Sequence, residues 1–452
     1  MNIIIVGCGK VGTKIAQWLS QEKEHNITVI DLKYEAMQEL INQCDLKGVT
    51  GSGASREILM EAGIKDADIL VAVTGSDELN LLTCLIARKT GNCKTVARVR
   101  KPEYSEEADV FKEDLGLAMI INPEQAAATE IARALRFPAA IQTDGFAKEK
   151  VDIFKFKIAE KSVLDNLRIA DISLKLNCDI LVCGVERGDK AFIPNGNFVL
   201  KSGDLISVVA SLENGGFFLK RIGVKASRIK DVMIVGGGEI GYYLAKQLIE
   251  NNIKVKIIEK NPARCDELYE LIPKATIINE NGTKKSVLME EGIENAQAFI
   301  ALTNIDEENI MLSLFARSKT DGKLVTKINS IDYDEVINRL NLDTVIHPKN
   351  ITAEHIVKFV RSKSSAIGSN IETMHRILEG KAEAIEFGIG ENSPVSGTSL
   401  EKLNIKSDVL VACINRKGTI IIPRGRDVIM PGDTVIIITT RTGFKDVSDI
   451  LE

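Results

Sequence analysis

The sequence lacks any apolar run long enough to cross a lipid bilayer. Its longest apolar stretches, such as residues 70–73 and 435–438, have the length of a strand, whereas a membrane-spanning helix needs about 20 such residues. Residues 1–6 have neither the positively charged region nor the cleavage site of a secretory signal. We therefore expect any role at a membrane to be carried out through a partner.

The sequence also lacks an excess of positive charge and a pattern of metal ligands. Its 58 Lys and Arg residues face 63 Asp and Glu residues, giving a net charge of −5, so no nucleic-acid partner is expected. The eight cysteines form no C-x-x-C pair and no cluster with histidine at zinc-site spacing. We expect no metal, and we expect Cys178 and Cys183, within or beside an apolar run, to be reduced core residues.

What the sequence does contain is a long internal repeat. Its 452 residues exceed the usual size of a single core, and residues 60–64 (MEAGI) return 229 positions later as residues 289–293 (MEEGI). The same offset relates Gly7 to Gly236, Thr74 to Thr303, Asp77 to Asp306, Asn80 to Asn309, Pro194 to Pro423, and Gly203-Asp204 to Gly432-Asp433. This shared spacing indicates a tandem duplication that accounts for nearly the whole chain.

Each copy changes character near its middle. In the first part, short β-branched runs alternate with helical patterns, which predicts a parallel sheet with helices on both faces. The strand candidates are residues 2–6, 28–30, 48–49, 69–73 and 95–99, with helices at 13–20 and 80–89. The second part has short strands and turn signals such as Pro194-Asn195-Gly196-Asn197, which predict a small β-rich module.

The predicted fold class is α/β: two Rossmann-like, doubly wound parallel-sheet domains, each followed by a small β-rich α+β domain. The predicted limits are 1–136 and 145–215 for the first copy, and 229–362 and 378–452 for the second. A polar, basic stretch at residues 220–230 would link the copies.

A glycine-rich turn, residues 7–12 (GCGKVG), follows the first predicted strand and opens a helix. Gly7 permits a tight turn, Gly9 lets the backbone approach a pyrophosphate, and Gly12 allows close helix packing, while the helix N-terminus attracts the anion. Asp31 ends the next strand, nineteen residues beyond Gly12. Its carboxylate can accept hydrogen bonds from ribose hydroxyls and would repel a 2′-phosphate, so NAD is favoured over NADP.

The second copy repeats the turn as residues 236–241 (GGGEIG), followed by Glu259. Lys260 comes next and could reach a phosphate, so the ligand of this turn is left open. Strand ends should border the ligand cleft in both copies. These strand-end candidates are Val73, Thr74 and Arg98 in the first copy, and Leu302, Thr303 and Lys327 in the second. For Arg98, a contact to phosphate or adenine and a surface ion pair are equally compatible with the sequence.

A dinucleotide fold does not make an enzyme, because catalysis needs an acid or base beside the nicotinamide. None of the four histidines has a convincing partner motif; His355 and His375 lie in helical patterns. Tyr242-x-x-x-Lys246 falls in the first turns of the phosphate-binding helix, where it cannot face a nicotinamide. We therefore expect the nucleotide to be an effector. An NAD-dependent oxidoreductase with duplicated domains and a nucleotide sensor without a membrane partner remain the alternatives.

These motifs together resemble the TrkA family of potassium-uptake proteins. The likeness rests on both glycine-rich turns and on residues 71–80 (VAVTGSDELN) and 301–309 (ALTNIDEEN). The small modules resemble the family's C-terminal domain through residues 183–187 (CGVER) and 413–416 (CINR), each followed by Ile-Pro and Gly-Asp pairs. The order of the four domains extends the likeness over essentially the whole chain.

The resemblance implies a regulatory subunit with tandem RCK N and C domains. Such chains would form a homo-oligomeric gating ring of four, in the cytoplasm on the inner face of the cell membrane. The implied partner is a TrkH- or TrkG-like potassium transporter or channel, and the implied effector is NAD⁺ or NADH, with ADP or ATP as the alternative.

The resemblance also implies a ligand set in each copy. In the first copy it comprises Gly7, Cys8, Gly9, Lys10, Val11, Gly12, Asp31, Val73, Thr74 and Arg98. In the second copy it comprises Gly236, Gly237, Gly238, Glu239, Ile240, Gly241, Glu259, Leu302, Thr303 and Lys327. The second copy departs from the pattern at Lys327, which replaces an arginine, and at Gly282-Thr283, which no Asp precedes.

Overall fold

The computed structural model describes residues 1–21, 25–136, 142–146, 151–188, 190–210, 212–223, 229–330, 337, 340, 342–365, 371–378, 381–441, 443–444 and 446–452. The chain divides into two compact units. One contains residues 1–132 and 229–360, and the other contains residues 133–228 and 361–452. Each unit thus brings together the corresponding parts of the two copies. The exact limits of the four domains stay predictions.

The first unit contains two parallel six-stranded sheets with flanking helices, which confirms the predicted Rossmann-like class. The first sheet has strands β1 Asn2–Val6, β2 Asn26–Asp31, β3 Lys47–Thr50, β4 Ile69–Ala72, β5 Lys94–Arg98 and β6 Met119–Ile121, in the order β3-β2-β1-β4-β5-β6. Its helices are α1 Lys10–Ser20, α2 Tyr34–Gln43, α3 Arg56–Glu61, α4 Asp77–Thr90, α5 Pro102–Glu106, α6 Ala108–Asp114 and α7 Pro123–Arg136. The strand order reverses beside β1, and at such a switch point the carboxyl ends of the strands leave a crevice for a ligand.

The corresponding sheet of the second copy has the same strand order. Its strands are β12 Asp231–Val235, β13 Lys254–Glu259, β14 Thr276–Asn279, β15 Ala298–Ala301, β16 Lys323–Lys327 and β17 Thr344–Ile346. Its helices are α10 Glu239–Glu250, α11 Pro262–Leu271, α12 Lys285–Glu290, α13 Asp306–Arg317 and α14 Pro348–Ser365. The repeated order is the structural counterpart of the repeated sequence.

The central strands are apolar along their whole length because helices cover both faces of each sheet. In the first sheet, Ile3 and Ile5 of β1 lie in the hydrophobic core on one face, and Ile4 lies in the core on the other. All three side chains are almost fully buried. This alternation fixes the register of β1, since a slip by one residue would exchange the two faces.

The two copies also contribute to each other's packing within this unit. Helix α14 of the second copy adds Ile356 and Val360 to the core on one face of the first sheet. In the opposite direction, Asn122 of the first copy donates a hydrogen bond to the Tyr243 hydroxyl of α10 at 3.1 Å. The sheet of the first copy is therefore completed by a helix that lies more than 300 residues beyond strand β1 in the sequence.

The second unit contains two antiparallel five-stranded sheets. The first comprises β7 Gln142–Phe146, β8 Val151–Lys157, β9 Leu181–Arg187, β10 Lys190–Phe192 and β11 Leu205–Ala210, with helices α8 Ile169–Leu176 and α9 Leu212–Arg221. The second comprises β18 Ile371–Ile377, β19 Ala382–Gly388, β20 Val409–Arg416, β21 Thr419–Ile421 and β22 Thr434–Thr439. A shared hydrophobic core joins them, with Val209 from the first sheet and Ile438 from the second.

Two cysteines, one histidine and the predicted linker lie in or beside this unit. Cys178 and Cys183 are buried and unpaired as expected. The helical pattern assigned to His375 was wrong, because that residue lies in strand β18 and pairs with Ala384. The predicted linker at 220–230 begins inside helix α9, which ends at Arg221; its residues 224–228 lie outside the described part of the chain.

One buried ion pair occurs at the same place in both small sheets. In the first, Arg187 at the end of β9 donates two 2.7 Å hydrogen bonds to Asp204, and a third bond to the Val199 carbonyl at 2.9 Å. In the second, Arg416 contacts Asp433 and the Val428 carbonyl in the same way. Both carboxylates are almost completely buried. The pair ties strand β9 to the turn that precedes β11, and strand β20 to the turn that precedes β22.

Replacing Asp204 by Asn should weaken the first small sheet by about 2 kcal/mol at neutral pH, because a charge-assisted bond is lost. Burial by itself would raise the pKa of Asp204, but hydrogen bonds from Arg187 and the Lys201 amide outweigh burial and hold the pKa below its usual value. The stabilisation of the folded sheet by this ion pair is therefore present above pH about 4 and is lost as the pH falls below that.

Hydrogen exchange in β11 at several pH values measures this effect for the sheet alone. Asp171→Asn is the control, since that carboxylate pairs with Arg168 on the surface. If the Asp204→Asn variant loses the same amount of exchange protection in β11 at pH 3 and at pH 7, the charge of Asp204 does not stabilise the sheet.

Candidate functional site

The first glycine-rich turn lies at the carboxyl end of β1, where the strand order reverses. Gly7 has φ of +105°, and a Cβ there would lie 3.0 Å from the Thr74 amide nitrogen. A Cβ on Gly12 would lie 1.9 Å from the Gly7 carbonyl oxygen, so helix α1 can pack here only without a side chain. By contrast, no atom lies within 4 Å of a Cβ built on Gly9. The turn therefore presents an open backbone surface at the start of the helix, as the sequence predicted.

Asp31, at the end of β2, supports the turn with its carboxylate. One oxygen accepts a hydrogen bond from the Cys8 amide at 2.6 Å, and the other accepts one from the Lys33 amide at 2.8 Å. The remaining acceptor positions of a carboxylate stay available for other donors. The same side chain thus shapes the turn and borders the space in front of it.

A cavity of about 580 Å³ lies in front of this turn. All the predicted positions of the first copy except Gly12 line it; these are Gly7, Cys8, Gly9, Lys10, Val11, Asp31, Val73, Thr74 and Arg98. Gly12 faces away and packs the helix on the strand. The volume is in the range of sites for small molecules and cofactors.

The cavity also has lining residues that the sequence prediction missed. Gly51, Ser52 and Gly53 follow β3 and form one wall, and Ala36 of α2 borders the cavity as well. A Cβ on Gly53 would lie 2.3 Å from the side chain of Val6, so only glycine fits. The Gly-Ser-Gly pattern directly after a strand was the signal that could have identified this wall.

Arg98, at the end of β5, points its guanidinium along the cavity wall. Its Nη2 donates to the Thr74 carbonyl at 2.5 Å, while its buried Nε has no hydrogen-bond partner among the described residues. Burial lowers the pKa of Arg98, and the nearby charge of Arg100 lowers it further, but arginine stays protonated in proteins. A half-buried cation that lines this cavity fits an anionic or polar ligand.

Cys8 is unsuited to act as a nucleophile. Burial, together with the charge of Asp31, raises the pKa of the Cys8 thiol to about 12. The thiolate, which is the reactive form, is therefore scarce at physiological pH. Cys8 contributes its amide to the turn and fills the space beneath it.

Lys10 lies at the exposed edge of the same turn. Its Nζ donates a 2.6 Å hydrogen bond to the hydroxyl of Ser330, which follows strand β16 of the second copy. The Ser330 amide in turn donates to the carboxylate of Asp306 at 2.7 Å. The first turn is therefore connected through a single lysine to the second sheet within the same unit.

A buried asparagine holds the adjacent strand ends in both copies. Asn80 accepts a hydrogen bond from the Thr74 amide at 2.8 Å and donates to the Arg98 carbonyl at 2.9 Å. In the second copy, Asn309 accepts from the Thr303 amide and donates to the Lys327 carbonyl at the same distances. This amide fixes the separation of β4 from β5, which positions Thr74 and Arg98.

The second turn has the same backbone shape. Gly236 has φ of +107°, and a Cβ on Gly241 would lie 2.6 Å from the Gly236 carbonyl oxygen. Glu259 accepts hydrogen bonds from the amides of Gly237 at 2.7 Å and Asn261 at 2.8 Å. Glu259 therefore occupies the place that Asp31 has in the first copy.

The remaining predicted residues of the second copy also lie at this edge of the second sheet. Leu302 and Thr303 follow β15, and Lys327 ends β16. Lys327 is almost fully buried, and burial lowers its pKa. Lys260, which could have reached a phosphate, is exposed.

The Tyr242 and Lys246 pair lies within helix α10, as expected. Tyr242 is buried, and the Lys246 ammonium lies 5.9 Å from the centre of its ring. Within the described part of the chain, no three potential metal ligands of the His, Cys, Asp or Glu type come together. The described helices also include none with the length and apolar character to span a bilayer.

Comparison with known proteins agrees with this organisation. The TrkA-N domain matches residues 3–123 and 232–348, and the TrkA-C domain matches residues 153–221 and 384–452. Among solved structures, the GsuK channel bound to NAD aligns with 97% of this chain and 76% of that one, at 18% identity and a TM-score of 0.62. That likeness supports the fold.

Two relatives are similar along nearly their whole length. The Trk system potassium uptake protein TrkA homolog 1 of Methanosarcina mazei is 32% identical, with 99% of both chains covered. The Trk system potassium uptake protein TrkA of Haemophilus influenzae is 31% identical, with 97% of this chain and 95% of that one covered. On its four matched domains and these full-length similarities, the chain belongs to the TrkA family.

Proposed function

We propose that this chain is a nucleotide-binding regulatory subunit that controls potassium transport through a membrane partner. The observation that carries the proposal is the cavity at the first glycine-rich turn in a chain of the TrkA family. Its relatives are named as components of a potassium-uptake system, and the GsuK channel, which shares the fold, was solved with NAD. We assign NAD⁺ or NADH to the first turn, with ADP or ATP as the alternative.

The side chains of the first cavity fit the chemical groups of NAD. The open face of Gly9 and the free amides at the start of α1 suit a diphosphate. Asp31 can accept hydrogen bonds from ribose hydroxyls, and it disfavours a 2′-phosphate. Arg98, which lines the same cavity, supplies a positive charge.

An effector role fits this cavity better than a redox reaction. A dehydrogenase needs a proton donor or acceptor beside the nicotinamide, whereas three of the titratable groups that line this cavity already have other roles. Asp31 holds the turn, Lys10 bonds to Ser330, and the Cys8 thiol stays protonated. The nucleotide would then serve as a signal.

Lys10 offers a route from the nucleotide to the rest of the assembly. An anion at the turn would compete with Ser330 for the Lys10 ammonium, because the ammonium binds an anionic oxygen more strongly than a neutral hydroxyl. The contact between the first turn and the second sheet would then be released. A ligand shifts a conformational equilibrium only through such differential contacts.

We further propose that the chain lies in the cytoplasm, on the inner face of the membrane. There it would form a ring of four copies beneath a TrkH- or TrkG-like subunit. A sensor without a membrane partner is the alternative, and a transport assay separates the two.

Expression of this chain should restore growth at low potassium in uptake-deficient cells that contain a compatible pore subunit. The pore subunit alone and this chain alone are the controls. If the chain fails beside every compatible pore subunit, the potassium role has to be abandoned. NADH absorbance should stay constant when candidate substrates are added, which would distinguish this chain from an oxidoreductase.

Replacing Asp31 by Ala should weaken NADH binding by about 1–3 kcal/mol, because the ribose loses its acceptor. Isothermal calorimetry measures the affinity. Asp45→Ala is the matched control, since that exposed carboxylate lies beyond α2 and does not line the cavity. A folded Asp31→Ala variant with unchanged affinity would move the nucleotide away from the first turn.

A further inference from the structure

The two turns share a backbone but differ in the side chains that surround it. Helices α2 and α11 both begin three residues after the carboxylate that holds the turn. Arg264 therefore corresponds to Ala36, which lines the first cavity. By the same correspondence, Glu239 takes the place of Lys10, because each is the first residue of the helix that follows the turn.

Arg264 lies directly against the second turn. Its Nε donates a 2.8 Å hydrogen bond to the carbonyl oxygen of Gly237, and its side chain is only 14% exposed. The same guanidinium pairs with Glu239 at 3.2 Å and with Glu267 at 2.7 Å. Its Nε and Nη1 are thus directed to groups of the protein, and its Nη2 lies beside Glu239 without a hydrogen bond. The bulk of the side chain lies where the first copy has a methyl group.

Glu239 places a carboxylate at the N-terminus of α10. That position attracts negative charge because of the free amides and the helix dipole, and in the first copy it carries the cation Lys10. Glu239 also borders a second cavity, of about 380 Å³, together with Arg100 and Lys101 of the first copy. Both cations already pair with acidic residues of the first copy, Glu124 and Glu78, so it is the carboxylate of Glu239 that occupies the helix N-terminus where a nucleotide would bring its diphosphate.

A third difference lies on the wall that follows β14. Glu280 follows that strand directly, as Gly51 follows β3 in the first copy. The amides of both residues donate to the carbonyl of the preceding strand-end carboxylate residue, Asp31 or Glu259. The second copy therefore adds a carboxylate where the first has a bare backbone.

From these substitutions we infer that the second turn is closed to dinucleotides, and that each chain binds a single nucleotide, in the first turn. Arg264 and Glu239 form an internal ion pair that takes the place of a bound diphosphate. The inference rests on the proposed function, because it presupposes that the first turn binds NADH. It makes the first copy the sensor and the second copy the fixed surface against which Lys10 makes its contact.

Binding stoichiometry of NADH tests the inference on the full chain. Calorimetry or equilibrium dialysis should give one NADH per chain. Asp31→Ala should reduce that binding at least fivefold, whereas Glu259→Ala should still bind one NADH with an affinity within twofold of the wild type. Two NADH molecules per wild-type chain, or loss of one site on Glu259→Ala, would overturn the inference.

The double variant Glu239→Lys, Arg264→Ala gives the second turn the side chains of the first copy at these two positions. It should raise the stoichiometry from one NADH towards two per chain. Thermal unfolding and the retained first site show that this variant is folded. A folded double variant that stays at one would show that these two residues are not what closes the turn, and would contradict the inference.

NADPH provides the opposite test, since Arg264 could instead recognise a 2′-phosphate. We expect no NADPH binding that depends on Arg264. If the Asp31→Ala chain binds NADPH and Arg264→Ala abolishes it, the second turn is an open NADP site and the inference is wrong. If the wild-type chain binds no nucleotide at all, the proposed function itself fails.

Discussion

The hydrogen bond between the Asp31 carboxylate and the Cys8 amide, 2.6 Å long, is the contact on which the rest of the site depends. It fixes a turn that starts at a glycine with φ of +105° and that packs its helix with no space for a Cβ at Gly12. Because the carboxylate ends β2 and the turn follows β1, the bond ties two neighbouring strand ends together. The open face of Gly9, the helix N-terminus and the Asp31 carboxylate then lie at one edge of the sheet.

The second copy makes the same bond with a longer side chain. Glu259 reaches the Gly237 amide at 2.7 Å, and the turn keeps its shape although the side chains around it differ. The requirement for a carboxylate here is therefore partly a requirement of folding. A correctly folded turn and an open ligand site are therefore separate properties. The second turn is well formed, yet an arginine packs against it.

Much of the fold could be predicted because its signals are local. Runs of β-branched residues marked five of the six strands in the first sheet, and glycine spacing marked the turn. Strand β6 was not predicted because Met119–Ile121 is only three residues long. The packing of Ile356 against the first sheet could not be predicted, since contacts between residues so distant in sequence leave no periodic pattern in either segment.

The candidate site was predictable to the same extent. The glycines and Asp31 act through backbone geometry at fixed spacing, so the sequence reveals them. The position of Arg264 depends on where α11 starts relative to the turn, and from the sequence it was one more charged residue in a helix. Asn80 had served only to mark the repeat, because its hydrogen bonds reach a strand 18 residues further along the chain.

Regulation of potassium movement by a nucleotide in the first turn is the central claim, and potassium flux tests it most directly. The partner transporter and this chain would be reconstituted together in liposomes, and flux measured as NADH is titrated. We expect flux to change over the same concentrations at which NADH binds, and Asp31→Ala to shift that response to higher concentrations. Potassium flux that does not change with NADH concentration would contradict the claim. So would an Asp31→Ala chain whose flux responds to NADH at the same concentrations as the wild type.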